Sequence, residues 1–310
     1  VSTPFLNLTE AAGKVAAFST AVRLGLLDRI DREPAAPAEL ARTCGATERG
    51  VRAVLAVLVE GGFIEKLADG RYRPVLTGLA TLHPLIPLWE HLPDAVRTGV
   101  PVYEATAGTA SPLTFLVGLW GDAVDKAVEV LPEAKRILDV GAGTAPWTIA
   151  YSARNPGSRV TALDLPEVIP VTRRAVSRAG LTDRFEYLPG DMFDLPLEPC
   201  AYDLIVVAQV CSLFDRVTGA GLIKRLVPAL ATNGVLAIVD TLAGGSGAAM
   251  HELSLYLRTR EGTVHQPDAY QEWLADAGLT NVNGTNLSSH LAITVIMGRS
   301  PAGPTDTLDC

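Results

Sequence analysis

The segment Arg136-Ile-Leu-Asp-Val-Gly-Ala-Gly-Thr-Ala-Pro-Trp-Thr-Ile149 constrains the fold more than any other part of the chain. It reads as a buried apolar strand, a glycine turn and the start of a helix. Gly141 and Gly143 have no Cβ, so the backbone can bend sharply and approach a ligand closely. From Lys135 onward the pattern alternates between short apolar runs and helical segments, which predicts a parallel sheet with helices packed on it. Strands are expected at 136–140, 159–163, 185–188, 203–208 and 234–239, with a closing pair near 281–287 and 291–297.

The N-terminal third is built differently. Val15, Phe18, Val22, Leu24, Leu27 and Ile30 fall at helical spacing, which predicts a helix over 11–30. Pro37–Arg42 reads as a second helix with Pro37 in its first turn. Thr47–Val59 reads as a third, started by Thr47 and stopped by Gly61-Gly62. Phe63–Val75 reads as a hairpin turning at Asp69-Gly70. Three helices and a hairpin make a winged-helix-like module. Over residues 1–90, ten Lys and Arg stand against ten Asp and Glu. A duplex reader needs a basic face to neutralise phosphates, so the module is expected to pack or dimerise and not to bind nucleic acid. Further helices are expected around Leu79–Val96 and Leu113–Val130.

Composition narrows the classes further. With 310 residues, 48% of them hydrophobic, the chain can bury a large core in about two domains. A net charge of −8 gives no general attraction to nucleic acid or anionic membrane. Cys44, Cys200, Cys211 and Cys310 have neither metal-ligand spacing nor the density of a disulfide framework, so reduced thiols, a cytoplasmic location and no metal are expected. No apolar run approaches the roughly 20 residues of a membrane span.

Three acids stand at three successive strand ends: Asp139, Asp164 in Val-Thr-Ala-Leu-Asp, and Asp191 in Gly-Asp-Met-Phe. In open parallel sheets, ligands bind beyond these strand ends. A dinucleotide fingerprint needs a third glycine where this chain has Pro146. The turn is therefore poorly matched to a pyrophosphate, and S-adenosylmethionine (SAM), which has none, fits better. Asp139 can answer its amino group. Asp164, followed by Leu165, can accept from the ribose hydroxyls. Asp191 can accept from the adenine amine, with Met192 as a thioether wall. Gln209 lies just past the fourth strand and can touch the adenine or orient an acceptor. Trp147 and Tyr151 are read as helix packing.

On Asp-Val-Gly-Ala-Gly-Thr (139–144), Ala-Leu-Asp-Leu-Pro (162–166) and Gly-Asp-Met-Phe (190–193), the whole chain resembles the caffeate/hydroxyindole-type SAM-dependent O-methyltransferases, especially bacterial ones of natural-product pathways. The resemblance implies an α/β fold: a Rossmann-like class I methyltransferase domain over 101–300, an N-terminal α-helical winged-helix dimerisation domain over 1–100, and a disordered tail over 301–310. It implies a homodimer in which residues 11–30 and 76–100 border the partner's acceptor pocket, with a small-molecule acceptor. O-methylation of a natural-product scaffold is expected. C- or N-methylation, or a SAM-assisted non-methylating reaction, is the alternative.

The resemblance breaks at one place. The family carries a catalytic histidine after the fourth strand, and the register through Phe214 and Asp215 puts Ser212 there. Ala208 also replaces a polar residue that lies near the adenine in the family. A serine hydroxyl is no general base near neutral pH unless another base activates it. His251, opening Met250-His-Glu-Leu-Ser-Leu-Tyr-Leu-Arg258, is the first candidate for a displaced base, and His265 the second. His290 is expected to be structural or solvated, and Cys211 a packing residue.

Overall fold

The computed structural model describes residues 3–75, 79–80, 83, 86–102, 120–288 and 292–302. The chain divides into two compact units, Val1–His91 and Leu92–Cys310. The expectations for His290, for the tail beyond 302 and for most of Leu113–Gly121 lie outside the described residues.

The first unit holds α1 (Thr3–Arg23), α2 (Leu26–Arg32), α3 (Pro37–Cys44), α4 (Glu48–Glu60) and the antiparallel strands β1 (Ile64–Lys66) and β2 (Tyr72–Pro74). The single helix expected over 11–30 is two helices, because Gly25 adopts φ 69° between them. That break turns Leu26, Leu27 and Ile30 into the core. Thr47 caps α4 as its sequence predicts, its hydroxyl accepting from the Gly50 amide at 3.2 Å. Val51, Leu55 and Leu58, at helical spacing, supply the buried stripe. The hairpin turn differs from a two-residue loop: Lys66 pairs with Tyr72, leaving five residues between the strands. Asp69 accepts from the Arg71 amide at 3.0 Å, and Gly70 takes φ 83°, which stabilises the wider loop. Helix was expected around Leu79–Val96. The described part forms a 3-10 turn at Pro87–His91 and then α5 (Leu92–Thr98), which opens the second unit.

The second unit continues with α6 (Gly121–Val130) and a seven-stranded sheet. Its strands are β3 (Arg136–Val140), β4 (Arg159–Asp164), β5 (Phe185–Pro189), β6 (Tyr202–Ala208), β7 (Leu230–Thr241), β8 (Thr280–Asn286) and β9 (Ile293–Arg299). Their spatial order is β5-β4-β3-β6-β7-β9-β8. Strands β3 to β7 are parallel, and β9 runs antiparallel to both β7 and β8. The helices between them are α7 (Pro146–Arg154), α8 (Ile169–Arg178), α9 (Arg216–Leu226), α10 (Ala248–Arg258) and α11 (Pro267–Asp276). Buried residues form one core on each sheet face, one around Ile137, Trp147 and Val206 and the other around Leu138, Leu222 and Trp273. Trp147 stacks on Trp120, and the Tyr151 hydroxyl donates to the Pro132 carbonyl at 2.7 Å, so both act in packing.

This is an N-terminal helical domain followed by a Rossmann-like α/β core, as the sequence predicts. The chain leaves β3 towards β4 and β5, then crosses back to β6 on the other side of β3. The crevice at that reversal is where such sheets hold ligands. Cys200 is disulfide-bonded, which corrects the expectation of a reduced thiol there; Cys44 and Cys211 are free.

Candidate cofactor and acceptor site

The glycine turn is strapped to the end of β4. The amides of Gly141 and Ala142 donate to the Leu163 carbonyl at 2.9 and 3.2 Å. The Gly143 amide donates to Asp164 Oδ2 at 2.7 Å, and the Thr172 hydroxyl of α8 donates to the Gly143 carbonyl at 2.7 Å. Gly141 has φ 66°, and a Cβ there would stand 2.7 Å from Val210 Cγ2 and 3.5 Å from Met192 Cε. The close approach explains the glycine and places the end of the Met192 side chain beside the turn. Ala145, at φ 53°, takes the left-handed conformation before α7 begins.

The three acids end up in different environments. Asp139 is 2% exposed and accepts from the Thr148 hydroxyl, one turn into α7. Burial, with the Asp164 charge nearby, pushes its carboxyl up to about 7 against the pull of the Thr148 bond. Asp164 is also buried, and its Oδ1 accepts from the Leu165 amide at 2.8 Å. Burial raises this carboxyl too, opposed by its two backbone amides. Each of its oxygens keeps a further lone pair for a ligand hydroxyl. Asp191 is exposed and accepts from the Phe193 amide at 2.8 Å, which fixes the turn after β5. Arg225 of α9 braces that turn, its Nε donating to the Met192 carbonyl at 3.0 Å.

These residues suit a cationic cofactor. A buried carboxyl held half-protonated at neutral pH has no cationic partner of its own and gains one when an ammonium or sulfonium binds beside it. The glycine cradle would be filled by a Cβ, and Asp164 offers acceptors for a diol. Among the described residues no His, Cys, Asp and Glu cluster could hold a metal.

Past β6 the backbone enters a second polar centre. Gln209 takes φ 56°, and its amide donates to Val239 at 2.7 Å, continuing the β6–β7 ladder. Its side-chain nitrogen is buried without a hydrogen-bond partner among the described residues. Ser212 is 1% exposed and tied at all three polar groups. Its amide donates to Asp240 Oδ2 at 2.9 Å and its hydroxyl to Asp240 Oδ1 at 2.9 Å. Its carbonyl accepts from the Thr263 amide at 3.0 Å. The Tyr270 hydroxyl also donates to Asp240 Oδ2, at 3.1 Å. Ser212, expected among the catalytic residues, thus spends its hydroxyl proton on a buried carboxylate.

His265 is present on the far side of the same turn and is 4% exposed. Its Nε2 lies 3.1 Å from the Phe214 carbonyl and 3.3 Å from the Cys211 carbonyl, and its ring meets Tyr270 and Trp273 edge-on. Its ring nitrogen is therefore committed to holding the 211–214 turn. His251, on α10, differs: its Nε2 is buried and has no hydrogen-bond partner among the described residues. Burial lowers its pKa; the Asp240 charge pulls it up, the Arg258 charge pushes it down and the Glu252 charge pulls it up. Cys211 is buried and its thiol is pushed well above the ordinary range, so it packs and does not react.

The sequence reading missed Asp240, Tyr270, Thr148 and Arg225. Asp240 had a signal: it ends the apolar run Val235-Leu-Ala-Ile-Val-Asp240, a fourth acid at a strand end.

Comparison with known proteins now decides the family. The profile of the O-methyltransferase domain matches residues 89–280. The chain belongs to the O-methyltransferase domain family. It is 27% identical to the tetracenomycin polyketide synthesis 8-O-methyl transferase TcmO of Streptomyces glaucescens, over 96% of each chain. It is 24% identical to the 3-hydroxy-5-methyl-1-naphthoate 3-O-methyltransferase of Streptomyces sahachiroi, over 94% of this chain and 93% of that one. Human N-acetylserotonin methyltransferase in complex with SAM shares the fold with a TM-score of 0.78 at 19% identity, over 97% of this chain and 99% of the human one. The PigF structure with S-adenosylhomocysteine (SAH) shares it at 0.74 and 20% identity, over 97% and 100%. This O-methyltransferase-family protein is a SAM-dependent methyltransferase with a Rossmann-like core.

Proposed function

We propose that this enzyme transfers a methyl group to a hydroxyl oxygen of its acceptor, with His251 as the general base. The observation that carries the reading is the buried His251 Nε2 without a partner, on an imidazole that burial keeps neutral at neutral pH. SAM, when bound, supplies an electrophilic methyl group on a sulfonium. Asp139, Gly141, Gly143, Asp164, Leu165, Asp191 and Met192 are the residues proposed to hold it. Gln209, with its free amide nitrogen, orients the acceptor or the adenine. His251 accepts the hydroxyl proton as the oxygen becomes nucleophilic, an assistance worth about 10²–10⁴-fold. Ser212 occupies the family's histidine register as a scaffold for the turn, and positioning supplies the remainder of the rate.

A homodimer and a cytoplasmic location belong to the same proposal, as do the domains 1–100, 101–300 and 301–310. Phe5, Leu6, Leu8 and Val15 of α1 are exposed, an apolar stretch that a second copy of the chain would cover. The free thiols of Cys44 and Cys211 support a reducing compartment, against the disulfide at Cys200.

A panel of hydroxylated aromatics, incubated with methyl-labelled SAM, tests the reading. The expected result is a methyl ether with one SAH released per product. Label on carbon would favour the second reading, C-methylation. That reading draws on the L-tyrosine C(3)-methyltransferase of Streptomyces lavendulae, 29% identical over 51% of this chain and 46% of that one. Turnover without SAH release would favour a non-methylating reaction.

A further inference from the structure

Helix α10 carries a second group that the fold leaves open. Arg258 closes the helix and is 9% exposed. Its Nε donates to the Ser254 carbonyl at 3.1 Å and to the Ser254 hydroxyl at 3.2 Å. Among the described residues, its two Nη groups make no hydrogen bond, and no Asp or Glu stands within ion-pair distance of them. The two acids whose charges act on His251 alongside Arg258 are committed elsewhere. Glu252 accepts from the Thr263 hydroxyl at 3.1 Å and from the Val264 amide. Asp240 is held by Ser212, Thr241 and Tyr270.

A buried cation without a counter-charge is costly, and burial alone pushes the Arg258 guanidinium down to about 10. It is therefore still charged at neutral pH. The negative end of the α10 dipole eases that cost but occupies neither Nη group. With Nε taken by Ser254, the two Nη groups form an end-on fork, the geometry that matches a carboxylate. His251 lies seven residues earlier, two turns away on the same face, so the two groups are separated by roughly 10 Å along the helix axis. The Arg258 charge acts on His251, so both groups share one electrostatic environment.

We infer that Arg258 docks a carboxylate of the acceptor, so that the substrate is an elongated hydroxy acid whose carboxylate pairs with Arg258 while its far hydroxyl meets His251. The inference rests on the methyl-transfer reading above and names its substrate class. A separation of this size favours a fused-ring acid over a single ring with neighbouring groups.

The test uses 6-hydroxy-2-naphthoate and its carboxamide as probes, with binding measured by calorimetry both with and without SAH. Wild type is expected to bind the acid at least about tenfold more tightly than the amide, as a charge-assisted bidentate pair would give. Arg258→Met is expected to lose that preference while binding SAH as wild type does, which also checks its fold. Arg258→Lys is expected to keep part of it. Equal binding of acid and amide to wild type, no binding of either, or a preference that survives in Arg258→Met overturns the inference. Because acid binding and SAH binding are measured here and methyl transfer by the labelled-SAM panel, the substrate class can fail while the methyltransferase reading stands, and the reverse.

Discussion

Asp240 grips Ser212 through both carboxylate oxygens, Oδ2 accepting the amide and Oδ1 the hydroxyl, each at 2.9 Å. The grip assigns a structural task to Ser212. Removing the hydroxyl leaves Asp240 with the Ser212 and Thr241 amides and the Tyr270 hydroxyl. Ser212→Ala is therefore expected to cost about 1 kcal/mol of stability and to keep kcat within about tenfold of wild type. Asp240→Ala leaves several buried donors unpaired and is expected to cost about 3 kcal/mol or more. Thermal unfolding and steady-state kinetics on both variants check the contrast. A loss of several orders of magnitude in kcat for Ser212→Ala, in a folded protein, would return that residue to the chemistry.

The raised Asp139 carboxyl couples cofactor binding to pH. Without ligand it is half-protonated near pH 7. A bound cation favours the carboxylate, so binding below that pH must release a proton. SAM affinity is then expected to rise with pH, by up to about tenfold per unit between about pH 5.5 and 7, and to flatten above. Calorimetry in buffers of different ionisation enthalpy reads the proton release directly. Asp139→Asn is expected to flatten the profile. Because the folded pKa lies above the unfolded value, ionised Asp139 opposes folding, and this penalty grows as pH rises from about 4 to 7. The ligand-free Asn variant should therefore be the more stable protein at pH 8, by roughly 1–4 kcal/mol.

His251 gives a second pH signature. Burial is the largest influence on it and lowers its pKa below the ordinary histidine value, so the neutral, basic form predominates at pH 7. The rate should rise with pH through that lowered value and reach its plateau by neutrality. His251→Ala is expected to lower kcat by about 10²–10⁴-fold with little change in SAM affinity, and to remove the acidic limb of the profile. An unchanged limb in the variant would assign the titration to another group.

The strands of the core sheet were largely legible because the sheet is buried on both faces. Ile137, Leu138, Val140 and Leu204–Val207 are nearly inaccessible, so their runs are continuously apolar. The glycine turn was legible because its own residues carry the bend, Gly141 at φ 66° and Gly143 at φ 55°, while its strap to Leu163 and Asp164 of β4 was not. Asp240 was not, since its importance comes from Ser212 and Tyr270, 28 and 30 residues away in sequence. The commitment of His265 to the Cys211 and Phe214 carbonyls is of the same long-range kind. Whether a histidine is tied or open depends on which loop folds over it, and neither His251 nor His265 carries that in its own neighbours. The kink at Gly25 was missed because apolar spacing continues across it while the backbone changes hand.

Gly141 offers the sharpest steric test of the cofactor cradle. Two costs add in Gly141→Ala. The residue holds φ 66°, a left-handed conformation costing an L-residue roughly 1–2 kcal/mol. The new methyl would also stand 2.7 Å from Val210 Cγ2, so Val210 must move. Val210 is 3% exposed and directly precedes the Cys211–Leu213 turn that Asp240 and His265 hold, which limits its room to retreat. The strain should therefore appear in the ligand site as well as in stability. Gly141→Ala is expected to lose about 2–4 kcal/mol of stability and to weaken SAH binding by at least tenfold. Gly157→Ala is the control: φ there is not positive, and nothing lies within 4 Å of the added Cβ. A double substitution, Gly141→Ala with Val210→Ala, relieves the clash but not the backbone strain. It should recover part of the SAH affinity if Val210 is what the methyl displaces. No recovery would mean that the backbone conformation alone shapes the cradle.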